Sequence, residues 1–104
     1  MKASPRPSPE FERLMRELRE HLPEFRERYG LRSIGVFGSY VRGMQGRRSD
    51  LDLLVEFDRA PTLLEFVRLQ REISERLGVK ADLVMKTALK PSIGARILEE
   101  VVPV

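Results

Sequence analysis

Residues 50–57, Asp-Leu-Asp-Leu-Leu-Val-Glu-Phe, constrain the fold more than any other stretch of the chain. Leu, Val and Phe at that density predict a buried strand, yet two aspartates, which strands disfavour, stand at positions i and i+2. Side chains alternate faces along a strand. Asp50 and Asp52 therefore point the same way, roughly 6.6 Å apart along the backbone, while Leu51 and Leu53 face the opposite side. One face of a sheet carries a carboxylate pair and the other a core. Aspartate is otherwise scarce, with four against twelve glutamates that fall mostly on predicted helix surfaces. Only Asp58 stands where a turn favours it, so Asp50, Asp52 and Asp82 need another explanation.

Around this run the chain reads as alternating helices and strands. Residues 1–7, with two prolines and no apolar periodicity, form a loose tail by this reading. Ser8 caps a helix whose first position suits Pro9, and Phe11, Leu14, Met15, Leu18, Leu22 and Phe25 recur at three and four to make one buried stripe. Pro23 is expected to kink or divide that helix, and Gly30 to end it. Leu31 to Phe37 predicts a strand running into Gly38 and Ser39; residues 39–46 predict a short helix and a turn. Thr62 and Glu65 form a capping box for a helix expected to bury Leu63, Phe66, Val67, Ile73 and Leu77 before Gly78 stops it. Residues 79–85 predict a third strand, and Pro91 precedes a last helix with Ile93, Ile97, Leu98 and Val101 apolar. The expected class is α/β (α+β): residues 8–104 as one domain, with helices against a small mixed sheet of open strand order.

Composition removes several chemistries. The chain has 104 residues and no cysteine, which excludes disulfides, thiolate metal sites and a cysteine nucleophile. His21 is the only histidine, so a zinc site lacks ligands. No apolar run reaches the length of a signal-peptide core or of a membrane span, and the expected location is the cytoplasm, with no membrane partner. A net charge of +3 suits a polyanionic ligand without identifying one.

The acidic residues suggest phosphate chemistry. If the third strand neighbours residues 50–57 at about 4.8 Å, Asp82 joins the face of the pair and three carboxylates converge. Like charges so close raise one another's pKa and call for a cation, and an all-oxygen donor set fits Mg²⁺, which completes its shell with waters and substrate phosphates. Gly38 and Ser39 occupy the strand-to-helix turn before the pair, where a missing Cβ and free N–H groups suit an anion. Arg42, Arg47 and Arg48 add positive charge at the same edge. The plainer readings are an edge strand with a wet face, a tight turn with a helix cap, and solvated arginines.

Residues 35–57, GVFGSYVRGMQGRRSDLDLLVEF, resemble the nucleotidyltransferase superfamily of DNA polymerase β. That pattern is an apolar residue, Gly, Gly or Ser, a spacer of about ten, then Asp-apolar-Asp-apolar, with a later acidic strand residue; Gly38, Ser39, Asp50, Asp52 and Asp82 match it in order. Over residues 31–102 the chain is similar to the minimal nucleotidyltransferases, many of which are antitoxins paired with a helical HEPN-domain ribonuclease toxin. The resemblance implies a polymerase-β-like fold and transfer of AMP from ATP to a tyrosine of that toxin, with pyrophosphate released. It implies that Asp50 and Asp52 bind two Mg²⁺ ions, and that Asp82 joins one of them and orients or deprotonates the attacking hydroxyl. Gly38 and Ser39 would hold the triphosphate, with Arg42 beside them. Tyr40 and Val41 depart from residues frequent in the family. Two other readings compete: a module that masks the toxin by binding alone, and a transferase acting on RNA 3′ ends, for which direct nucleic-acid binding is not expected without a second domain.

Overall fold

The structure, a computed structural model, describes residues 8–44, 46 and 49–104; the expected N-terminal tail and the loop arginines Arg47 and Arg48 lie outside these residues. Helix α1 (Pro9–Tyr29) leads into strand β1 (Leu31–Phe37) and the short helix α2 (Ser39–Arg42). Strand β2 (Leu51–Phe57), helix α3 (Leu63–Leu77) and strand β3 (Ala81–Met85) come next. A 3-10 turn, helix α4 (Pro91–Glu100) and a short strand β4 (Val102–Pro103) complete the order.

The sheet runs β3-β2-β1-β4. β1 pairs antiparallel with both β2 and β4, whereas β2 and β3 are parallel, so the sheet is mixed as expected. A parallel pair needs a crossover, and α3 supplies it. The two-residue β4 was not anticipated, because two residues carry no periodicity to read.

Alternation in the strands separates a dry face from a charged one. Ile34 and Val36 of β1, Leu51, Leu53 and Val55 of β2, and Ala81 and Leu83 of β3 are buried beneath α1 and α3. The α1 stripe is the expected one extended by Tyr29. Ser8 Oγ accepts from the Phe11 N–H at 3.0 Å, and Gly30 closes the helix in the left-handed region with φ 68°. Pro23 does not divide α1, which is helical throughout Pro9–Tyr29. Pro23 is exposed, and Leu18, Leu22 and Phe25 are buried on either side of it, so the proline stands off the packed stripe.

Helix α3 begins with the expected capping box, Thr62 Oγ1 accepting from Glu65 N–H at 3.1 Å and Glu65 Oε1 from Thr62 N–H at 3.0 Å. Its buried face differs from the expected one. Leu69, Ile73 and Leu77 are buried and Phe66 is half-buried against Phe57, but Leu63 is 80% exposed and Val67 45%. At about 100° per residue, Leu63 and Val67 lie roughly 80° and 120° around the helix from Ile73, off the face that meets the sheet. In α4, Ile93 and Leu98 are likewise exposed. The other face of the sheet is covered by α4 and by Val101 just beyond it: a Cβ on Gly35 would collide with the Val101 side chain.

Candidate active site

Strand register brings the site together. Asp52 is the partner of Asp82 across the parallel β2–β3 pair and of Phe37 across the antiparallel β1–β2 pair. Directly opposed residues share a face, so the Asp52 and Asp82 side chains stand on the same side of the sheet, with Gly38 directly after Phe37 at the same end. Asp50 precedes β2 by one residue, and its carboxylate lies 3.8 Å from Lys80 Nζ.

Desolvation, and after it the charges of Asp82 and Asp50, raise the pKa of Asp52 above the usual aspartate value; Arg42 opposes this and Glu100 adds to it. A carboxyl pushed up by burial and then by neighbouring carboxylates is an oxygen donor that a divalent cation would relieve, so the residue types fit such an ion. Among the described residues, however, no three acidic or histidine side chains close into a ready metal cage. Lys80 lies beside Asp50, and Asp82 is exposed to solvent.

Gly38 is fixed by its neighbour and by its backbone. It has φ 83° and ψ −152°, a conformation open to glycine, and a Cβ there would fall on the Asp52 carboxylate. The backbone thus passes directly against Asp52. Ser39 opens α2, where the N–H groups of Val41 and Arg42 donate to the Gly38 carbonyl at 3.1 and 3.2 Å.

A cleft of about 570 Å³ opens here. Phe37, Gly38, Arg42 and Asp52 form one wall, and α4 forms the other with Ile93, Arg96, Ile97 and its terminal glutamates. Ser39, Asp50 and Asp82 are not part of that lining. Glu100 crosses the cleft, its Oε2 accepting from the Gly38 N–H at 2.9 Å and its Oε1 lying 3.2 Å from Arg42 Nη1. None of these α4 residues was expected at the site; Ile93 and Ile97 were read only as apolar positions of the last helix. One signal was present: two glutamates end a helix whose C-terminus disfavours negative charge.

The fold has counterparts among solved structures. A structure solved as that of a minimal nucleotidyltransferase superposes with a TM-score of 0.76 at 37% identity, covering 90% of this chain and 95% of that one. A tri-AMPylated HEPN toxin in complex with MNT antitoxin, from Shewanella oneidensis, shares the fold at 18% identity with a TM-score of 0.58, covering 90% of this chain and 67% of that chain. The architecture is that of the minimal nucleotidyltransferases. The nucleotidyltransferase domain family matches residues 18–104, and the chain belongs to it. Protein adenylyltransferase MntA of Thermococcus cleftensis is 51% identical over 85 residues, 82% of this chain and 86% of that protein.

Proposed function

We propose that this chain is an antitoxin that transfers AMP from ATP to a tyrosine hydroxyl of a HEPN-domain toxin. The observation that carries the reading is the Asp52–Asp82 pair, in register on one face, with the Gly38 backbone pressed against Asp52. The likeness to an adenylyltransferase at 51% identity and the shared fold with an antitoxin bound to an AMPylated toxin support it. ATP as donor fits a cytoplasmic protein.

In this reading the hydroxyl oxygen attacks the α-phosphorus of ATP in line with the leaving oxygen. The new oxygen–phosphorus bond forms as the bond to the β-phosphate bridge breaks, and pyrophosphate leaves with the displaced electron pair. Asp82, exposed at the sheet edge, orients the hydroxyl and takes its proton. Gly38, Ser39 and Arg42 hold the triphosphate through backbone N–H groups, a hydroxyl and a guanidinium. Asp50, Asp52 and Asp82 would hold magnesium, which when bound supplies charge neutralisation of the phosphate oxygens. His21 lies on α1 beside Arg76 and takes no part.

The test is mass spectrometry of the cognate toxin after incubation with this protein, ATP and Mg²⁺. A mass gain of one or more AMP groups on tyrosine is expected, lost with Asp50→Ala or Asp52→Ala. Neutralisation of the toxin with no mass gain would replace catalysis by masking.

A further inference from the structure

The donors that a phosphate would use at this site already hold an anion belonging to the chain. One oxygen of Glu100 takes the Gly38 N–H and the other faces the Arg42 guanidinium, at 2.9 and 3.2 Å. The Glu100 side chain is 20% exposed and that of Arg42 56%, so the carboxylate is mostly covered while the guanidinium stays open to solvent. Two local fields oppose it there. Glu100 is the last residue of α4, where the helix presents its negative end, and it sits close enough to Asp52 to help raise that carboxyl's pKa. Charge-assisted bonds to an N–H and a guanidinium are what hold a carboxylate in such a place.

We propose that Glu100 sets the affinity of the site for nucleotide by acting as an internal stand-in for a phosphate, which a triphosphate must displace to bind. The inference rests on the nucleotide reading above. A triphosphate brings more negative charge to the same two donors, and α4 gains by releasing a carboxylate from its C-terminal end. Every nucleotide that binds does so against this competition. Removing the carboxylate therefore tightens binding, and removing the side chain altogether tightens it further, because glutamine keeps an oxygen that can still accept from Gly38.

Calorimetric titration of the whole protein with ATP and with inorganic tripolyphosphate tests this, using wild type, Glu100→Gln, Glu100→Ala and Glu75→Gln. We expect about tenfold tighter binding of both ligands to Glu100→Gln, more for Glu100→Ala, and little change for Glu75→Gln, which removes the same charge from the exposed surface of α3, outside the cleft. Affinity that is unchanged or weakened in both Glu100 variants overturns the proposal, since Glu100 would then support Arg42 rather than compete for it. Equal tightening by Glu75→Gln also overturns it, as an effect of net charge alone. If neither wild type nor any variant binds either ligand, the nucleotide reading itself fails, and the inference with it.

Discussion

At Gly38 the backbone holds a φ of 83° and a Cβ would meet the Asp52 carboxylate, so Gly38→Ala is strained twice over. We expect it to lower stability by about 1–3 kcal/mol and to abolish AMP transfer, read by thermal denaturation and by labelling of the toxin. Asp52→Asn should separate those two effects. Its carboxyl is raised by desolvation and by Asp82 and Asp50, so the ionised form is disfavoured in the fold; the amide removes that repulsion, and Tm should rise slightly while transfer is lost. The Asp50–Asp52 alternation and the turn at Gly38 and Ser39 were legible in the sequence because a strand's two-residue period and a glycine at a turn are local facts, whereas the place of Asp82 depended on strand order. Glu100 and Arg96 were not legible. They reach the cleft only through the packing of α4 across the sheet, more than forty residues along the chain from Asp52, and no local rule encodes that distance.

Among the elements, the pairing of α1 with α3 depends on a charged cluster as well as on apolar contact. Tyr29 Oη donates to Glu72 at 2.6 Å, and Arg76 bonds both Glu24 and Glu72. Burial alone would raise the pKa of Glu72, but hydrogen bonds from Tyr29 and Arg28 outweigh it and hold the carboxyl below its ordinary value of 4.5. A depressed folded pKa means the stabilisation is present above about pH 4.5 and is lost as pH falls through the folded value. Glu72→Gln should therefore destabilise the protein at pH 7, and its deficit against wild type should shrink under acid, as tracked by denaturant midpoints. On α3 itself, Leu69→Ala should cost about 2–5 kcal/mol and Leu63→Ala within about 0.5, the reverse of what the run of apolar residues at its start suggests. Helix caps were readable because Ser8, Thr62, Gly30 and Gly78 act on their own neighbours, whereas the third strand, expected over 79–85, begins only at Ala81. The phase of α3 was not readable, since Leu63, Leu64 and Val67 are as apolar as the residues that the sheet covers.

For the molecule as a whole, the order β3-β2-β1-β4 decides everything that the site can do. It sets the start of β3 on one side of the start of β2 and the end of β1 on the other, so three segments distant in sequence meet at one end of the sheet. Strand order was the part of the fold that the sequence left open: short links allow either hand of pairing, and only the crossover through α3 makes β2 and β3 parallel. The two faces then differ in purpose, one sealed by α1 and α3, the other covered by α4 and open to a ligand at the Asp52 end. The most direct test of the central claim is the single-turnover rate of label transfer from α-labelled ATP to the toxin for wild type, Asp52→Asn and Asp82→Asn, each with its fold checked by circular dichroism. Rates reduced by at least a hundredfold, roughly the smallest contribution expected of a positioned acid–base group, are predicted for both folded variants; transfer at the wild-type rate by either of them would contradict it.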